Sequence, residues 1–176
     1  MTKNFDAIVI GAGVIGISTA FHLAERGLKP VILERKEIGY GATGKSSGLV
    51  RMHYDLEVES RLAWESFQYF RDWSERVGGE CGFRRTGFLH IETADHEVQL
   101  RKNVEMHQKI GIPANVISGG DVKKLAPHFK TDDIAFAAYE PESGYADPML
   151  TANSLLAAAK DHGAIYVQDC EVSGSQ

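Results

Sequence analysis

A glycine-rich turn between a predicted strand and a predicted helix constrains the fold of this chain more than any other part of its sequence. Residues 11–16 read GAGVIG, the pattern G-x-G-x-x-G, and they directly follow the β-branched run 7–10. Apolar residues then recur at helical spacing as far as Gly27, and a second apolar strand, 31–33, ends in Glu34. This order of strand, turn, helix, strand and acid predicts a Rossmann-type βαβ unit whose first strand is buried on both faces of a parallel sheet.

Each part of this unit has a physical role in binding a dinucleotide. Gly11 permits the tight turn, Gly13 lets the backbone approach a diphosphate, and Gly16 allows the helix to pack closely on the strand. The helix N-terminus offers free N–H groups and a partial positive charge to the diphosphate. The Glu34 carboxylate is placed to accept hydrogen bonds from the adenosine ribose. A turn that merely connects strand to helix is the alternative, but the complete βαβ order favours binding of the ADP half of a dinucleotide.

A second run of small residues bears on which dinucleotide binds. Residues 41–49 read GATGKSSGL, where an NAD-binding domain would usually continue with its next βα repeat. This loop supplies backbone donors, hydroxyl groups and the Lys45 ammonium group, which can lie along an extended cofactor. The loop therefore favours FAD over NAD, and a solvated polar loop is the alternative for Thr43, Ser46 and Ser47.

The rest of the chain alternates between helical and strand-like patterns. These patterns predict helices over 57–77, 95–110 and 148–163, a short capped helix after Ser118, and strands over 88–91, 134–139 and 165–167. We therefore predict an α/β fold, with a Rossmann-type FAD/NAD(P)-binding domain and an inserted, incomplete α+β segment of a substrate-binding domain. The predicted FAD-binding domain comprises residues 1–80 and 148–176, and residues 81–147 form the inserted segment.

Composition argues against several classes of partner. The chain has 176 residues and a formal net charge of -5, with 19 Lys and Arg against 24 Asp and Glu. Nucleic acids and anionic membranes need a basic face, so neither is expected as the main partner. No apolar stretch approaches the ~20 residues that span a bilayer, and Cys81 and Cys170 lack the spacing of zinc ligands. We expect a cytoplasmic protein with a small-molecule substrate and no metal site.

The same motifs resemble a known family. The VIGAGVIG start, the pair Glu34-Arg35 and the loop GATGKSSGLVR are similar to the D-amino acid oxidase-like FAD-dependent oxidoreductases, and most similar to their sarcosine oxidase (β-subunit type), glycine oxidase and dimethylglycine dehydrogenase members. The segment 144–148, GYADP, resembles the place where that family's chain returns to its FAD domain. The resemblance runs from about residue 6 to residue 172 and implies FAD as the cofactor.

The resemblance, together with the second loop, gives a set of expected cofactor contacts. The expected contacts with the diphosphate, the adenosine and the remainder of FAD are Gly11, Gly13, Val14, Ile15, Gly16, Glu34, Arg35, Ala42, Thr43, Lys45, Ser46, Ser47, Gly48, Leu49 and Val172. Relatives that attach the flavin covalently through a histidine of this loop would place it near Lys45. Lysine cannot form that bond, so we predict noncovalent FAD.

The resemblance also implies where the substrate binds. The flavin accepts a hydride from a substrate carbon, so the protein has to orient the substrate. Arg51 matches a position implicated in carboxylate binding in sarcosine oxidases, and an arginine can grip a carboxylate with two parallel hydrogen bonds. A structural ion pair is the alternative for Arg51. His53 is the second catalytic candidate, and a structural histidine is its alternative.

The predicted function is oxidation of the C–N bond of a small amino acid or N-methylated amine, such as sarcosine, glycine or dimethylglycine. The alternatives are an FAD-dependent dehydrogenase of a 2-hydroxy acid or glycerol 3-phosphate, a nucleotide-binding fragment without activity, and an NAD-dependent dehydrogenase. The resemblance implies a chain of roughly twice this length, in keeping with two domains. We therefore expect an N-terminal piece whose open sheet edge pairs with a second copy or with the missing C-terminal half.

Overall fold

The structure, a computed structural model, describes residues 4–174 and has the mixed α/β order that the sequence predicts. Its strands and helices, in chain order, are β1 (Ala7–Ile10), α1 (Val14–Glu25), β2 (Pro30–Leu33), β3 (Leu49–Val50), α2 (Glu57–Arg71), α3 (Trp73–Arg76), β4 (Arg84–Arg85), β5 (Phe88–Glu92), α4 (Glu97–Ile110), β6 (Asn115–Ser118), α5 (Gly119–Leu125), β7 (Phe136–Glu140), β8 (Gly144–Tyr145), α6 (Pro148–Asp161) and β9 (Ile165–Val167).

The chain forms two compact units. The first unit comprises Met1–Gly48, Asp72–Phe83 and Ala146–Gln176, and the second comprises Leu49–Arg71 and Arg84–Tyr145. The predicted domain boundaries, after residues 80 and 147, stay a prediction.

The first unit contains the predicted parallel sheet. Its strand order is β1-β2-β9, and both pairings are parallel, with Ala7 opposite Pro30 and Val31 opposite Ile165. Helices α1 and α6 pack against each other and bury small and apolar side chains, among them Ile17, Phe21 and Ala159. This arrangement confirms the Rossmann-type βαβ unit.

The prediction that β1 is buried on both faces is wrong. Ile8 and Ile10 are 65% and 68% exposed, while Val9 lies half-buried on the side of α1. β1 is an edge strand of the three-stranded sheet, and the described residues leave its second face open. The β-branched run correctly predicted a strand, but it did not predict that one face of this strand is exposed.

The helix predicted over 57–77 is two helices. Asp72 has φ -112° and ψ 36°, outside the helical region, and separates α2 from α3. The chain passes from the second unit to the first at this residue. The sequence has no glycine or proline at this break, and the apolar spacing continues across it. The pattern therefore predicted one helix instead of two.

The second unit contains two small antiparallel sheets and three helices. Their strand orders are β3-β8-β4 and β5-β7-β6. The short strands β3 and β8 and the strand β6 had no clear alternation and were not predicted. The helix predicted after Ser118 is α5, and Ser118 and Asp121 form the expected capping box.

The described residues include no helix that combines the length and the apolar character needed to cross a bilayer.

Helix α6 offers a test of side-chain capping at a helix N-terminus. The Asp147 carboxylate accepts the N–H groups of Met149 and Leu150 at 2.8 and 2.9 Å, ahead of Pro148 at the first helical position. We expect Asp147→Ala to lower the free energy of unfolding by about 1 kcal/mol, because these N–H groups lose their acceptor. Urea denaturation followed by circular dichroism measures the change. Asp147→Asn is the control, because asparagine caps equally well, and equal losses in both variants would contradict the capping role.

Candidate functional site

The turn between β1 and α1 brings the backbone of the two elements into close contact. Gly11 has φ +100°, a conformation that residues with a Cβ rarely adopt, and its N–H donates to Leu33 O at 2.8 Å. A Cβ placed on Gly16 would collide with the carbonyl oxygen of Gly11. The helix can therefore begin directly at the end of the strand only because both positions are glycine.

The N-terminus of α1 presents free N–H groups. Ala12 N–H donates to Glu34 Oε2 at 2.7 Å, and Val14 N–H donates to Thr43 Oγ1 at 2.9 Å. Within residues 4–174, the N–H groups of Gly13 and Ile15 have no acceptor. Unpaired N–H groups at a helix N-terminus form an anion site, reinforced by the helix dipole.

Glu34 lies beside this turn, as the dinucleotide hypothesis requires. Its Oε2 accepts the Ala12 N–H, and its Oε1 accepts the Lys36 N–H at 2.8 Å. The hydrogen bond from Ala12 is the main cause that lowers the pKa of Glu34 below its ordinary value. The carboxylate is therefore ionised at neutral pH, and each oxygen keeps lone-pair capacity for a further hydrogen bond.

A surface cleft of about 230 Å³ opens at the strand ends next to the turn. Its lining residues are Ile10, Gly11, Leu33, Glu34, Arg35, Cys170, Glu171 and Val172. Four of these, Gly11, Glu34, Arg35 and Val172, belong to the predicted cofactor contacts. The other four were not predicted, although three of them directly precede or follow a predicted contact in the sequence.

The segment after β9 is held against Glu34 by the backbone. Cys170 N–H donates to Glu34 O at 2.9 Å. Asp169 has φ +55°, and aspartate is one of the residues that tolerate this left-handed conformation. The sharp bend at Asp169 brings Glu171 and Val172 to the cleft.

The loop after β2 packs onto the glycine turn. Gly39 N–H donates to Ala12 O at 2.9 Å, and the buried Thr43 hydroxyl accepts the Val14 N–H. Thr43 thus caps α1 from a distant part of the sequence. The predicted contacts Ala42, Lys45, Ser46 and Ser47 lie on the exposed part of the loop, followed by the half-buried Gly48.

The predicted contact Leu49 and the predicted catalytic residues Arg51 and His53 lie in the second unit. The Arg51 guanidinium lies over the rings of Tyr54 and Phe88, 4.6 and 5.5 Å from their centroids. No carboxylate within residues 4–174 forms an ion pair with Arg51, so the structural ion pair considered as the alternative is absent there. The guanidinium rests on aromatic faces, and its N–H groups remain available for hydrogen bonds.

His53 is a core residue of the second unit and is only 1% exposed. Its ring stacks on His90 and meets His107 edge-on, with both pairs of centroids 4.5 Å apart. Burial, together with the neighbouring His107, His90 and Arg51, lowers the pKa of His53 to about 3. The imidazole is therefore neutral at pH 7, and its predicted catalytic role stays a prediction.

Two buried residues that the sequence did not single out hold the backbone around His53. Glu140 Oε2 accepts Met52 N–H at 3.0 Å, and His107 Nε2 donates to Tyr54 O at 2.9 Å. Both side chains are fully buried. They lie far from residues 51–54 in the sequence, so no local pattern could have indicated them. Together they fix the backbone on both sides of His53, next to Arg51.

Comparison with known proteins identifies relatives of this chain. Residues 6–176 match the family model described as "FAD dependent oxidoreductase", DAO. The chain is 31% identical over 177 residues to the mitochondrial sarcosine dehydrogenase of Mus musculus, covering 99% of this chain and 19% of that protein. It is 26% identical to the glycine oxidase of Geobacillus kaustophilus, covering 98% of this chain and 48% of that protein.

Among solved structures, an L-proline dehydrogenase from P. horikoshii superimposes with a TM-score of 0.91 at 28% identity. That match covers 99% of this chain and 46% of the other. The chain therefore spans less than half the length of these relatives.

The close contact at Gly16 can be tested by adding one methyl group. We expect Gly16→Ala to lower the free energy of unfolding by about 1–3 kcal/mol, because the new Cβ has to displace the Gly11 carbonyl. Gly41→Ala is the matched control, since a Cβ there meets no atom within 4 Å. Urea denaturation measures both, and a Gly16→Ala variant as stable as Gly41→Ala would show that the turn does not require a glycine at this position.

Proposed function

The chain belongs to the DAO family of FAD-dependent oxidoreductases, and from this premise we propose that its first unit holds the ADP half of FAD at the glycine turn. The proposal rests on two features that lie side by side at this turn: free backbone N–H groups and a carboxylate. The N-terminus of α1 offers the unpaired N–H groups of Gly13 and Ile15, and the ionised Glu34 carboxylate lies within hydrogen-bond distance of Ala12.

The residues of the first unit fit this half of the cofactor. The free N–H groups and the helix dipole suit the two negative charges of a diphosphate. The Glu34 carboxylate suits the two ribose hydroxyls, and would repel a 2′-phosphate. The cleft lined by Arg35 and Val172 continues from Glu34 and offers a place for the adenine.

We propose that the whole protein oxidises the C–N bond of a small amino acid or N-methylated amine. Proteins similar to this chain are named sarcosine dehydrogenase, glycine oxidase and L-proline dehydrogenase. Each of these names gives a small amino acid or N-methylated amino acid as the substrate. When bound, FAD supplies the hydride acceptor that oxidation of a C–H bond next to nitrogen requires. The protein's own part is to bind the substrate, orient it and keep its charges paired.

Arg51 is the residue that we propose for the substrate carboxylate. Its guanidinium rests on Tyr54 and Phe88 and forms no ion pair within residues 4–174. Glu140 and His107 fix the backbone on either side of His53, two residues further on. An arginine that is held in place and has no carboxylate partner in the protein is suited to bind a ligand that carries a carboxylate.

We also propose that further chain covers the open side of β1. Ile8 and Ile10 expose apolar side chains there, and both β1 and β9 have one unpaired edge within the described sheet. Exposed strand edges and apolar faces are normally covered in stable proteins. A second copy of the chain, or the remaining part of the protein, could cover this face and these edges.

The Glu34 carboxylate is the most direct test of FAD binding. We expect Glu34→Gln to weaken FAD binding about 10- to 100-fold, because hydrogen bonds to a charged acceptor become hydrogen bonds to a neutral one. Fluorescence titration with FAD measures the dissociation constant, with the exposed neighbour Glu37→Gln as the control. Because the hydrogen bond from Ala12 lowers the pKa of Glu34 below its ordinary value, the loss of wild-type affinity on acidification should begin at a lower pH than an ordinary glutamate would give. Equal affinities in both variants would contradict the ribose contact.

Replacing Arg51 tests the proposed carboxylate anchor. In the full-length enzyme, we expect Arg51→Met to raise KM about 10- to 100-fold, because the substrate carboxylate loses a charge-assisted partner. Arg61→Met is the control, since Arg61 is exposed on α2 and pairs with Glu57. Steady-state kinetics with a small set of amino acids and N-methylated amines gives both parameters. An unchanged KM would remove Arg51 from the substrate site.

The position of Lys45 leads us to propose that the flavin is bound without a covalent link. Acid precipitation of the purified protein should leave the flavin in the supernatant, because no protein bond holds it after unfolding. Absorbance of the supernatant and the pellet measures the partition. Flavin that stays with the precipitated chain would contradict this proposal.

A further inference from the structure

Three side chains meet in the interior of the second unit with unsatisfied atoms. His53, His107 and Glu140 are 1%, 0% and 0% exposed, and one nitrogen or oxygen from each lies within 4.8 Å of the others. Both ring nitrogens of His53, Nδ1 of His107 and Oε1 of Glu140 have no hydrogen-bond partner within the described residues. Buried polar atoms without partners are costly and rare, so a group of three such side chains indicates a missing partner.

The unsatisfied atoms of His107 and Glu140 are oriented by bonds on their opposite sides. A carbonyl oxygen can only accept, so His107 Nε2 carries the proton in its 2.9 Å bond to Tyr54 O. Nδ1, the other ring nitrogen, has no hydrogen-bond partner within the described residues. Glu140 Oε2 accepts from Met52 N–H at 3.0 Å and from the Ser143 hydroxyl at 2.7 Å, which leaves Oε1 free. Metal ligands are typically oriented in this way.

The lone pairs of the cluster favour a cation over a water molecule. No lysine or arginine forms an ion pair with Glu140 within residues 4–174. Each of the three side chains offers one ligand atom, and a water molecule can donate only two hydrogen bonds. A divalent cation can accept a lone pair from each of the three side chains.

We propose that His53, His107 and Glu140 bind one divalent transition-metal ion. Two imidazoles and one carboxylate form a ligand set typical of Zn²⁺ and of Fe²⁺. A point between the three ligand atoms lies at most about 2.8 Å from each, and Zn²⁺ bonds are about 2.0–2.2 Å long. Each ligand atom therefore has to move inward by at most roughly 0.8 Å on binding.

The ion would join three parts of the second unit: the segment that follows Arg51, helix α4 through His107, and strand β7 through Glu140. Its ligands are distant in the sequence, which is why their spacing did not indicate a metal site. The site does not involve the glycine turn, so its presence and the binding of FAD are independent findings.

The test is the metal content of the full-length protein. We expect protein that is unfolded in chelator, refolded with ZnCl₂ and dialysed to retain about one Zn²⁺ per chain by mass spectrometry. His107→Gln and Glu140→Gln should retain almost none, because each removes one ligand while the new amide can still bond to Tyr54 or Met52. His96→Gln is the matched control, since His96 is an exposed histidine paired with Glu92, and it should retain the wild-type content.

Two results would overturn the proposal. One is wild-type protein that retains no stoichiometric Zn²⁺, a measurement that decides the matter even if both ligand variants fail to fold. The other is equal metal content in His107→Gln, Glu140→Gln and wild type, which would show adventitious binding. A crystal structure at the zinc absorption edge locates the ion. An anomalous peak between the three side chains supports the site, and a water molecule or a direct His53–Glu140 hydrogen bond there contradicts it.

Discussion

The contact between Gly16 and the Gly11 carbonyl is the constraint on which the first unit depends. Because no side chain stands between them, helix α1 begins at the end of β1 instead of several ångströms away. The first N–H groups of the helix therefore lie at the carboxyl edge of the parallel sheet, where β2 delivers Glu34. The proposed contacts with the diphosphate and the ribose thus lie together because two strands end at the same edge and one helix begins there.

In the second unit, buried hydrogen bonds hold the segment 51–54 in place. Residues 51–54 have little regular structure of their own, and fully buried side chains from α4 and β7 bond to their backbone. Leaving such a buried donor or acceptor without its partner costs about 1–3 kcal/mol. The same two side chains, His107 and Glu140, belong to the proposed ion site together with His53, so the bonds that hold the segment also form part of that site.

The features that could be predicted from the sequence are those encoded locally. The βαβ unit, the end of α4 at Gly111, the capping box at Ser118 and the start of α6 at Asp147 all depend on residues within a few positions of one another. The features that were missed depend on distant residues. Thr43 caps α1 from another loop, and the edge position of β1 exposes Ile8 and Ile10. Residues such as Glu140 become part of a site only when the chain has folded.

The most direct measurement of the central claim follows individual backbone amides while FAD is added. In ¹⁵N–¹H NMR spectra of the chain, the amide signals of Gly13 and Ile15 should shift and gain protection from hydrogen exchange, because their N–H groups acquire acceptors. The amide of Gly27, just beyond the C-terminal end of α1, provides an internal comparison. Signals of Gly13 and Ile15 that stay unchanged while FAD binds would contradict the account, because the diphosphate would then lie somewhere other than the glycine turn.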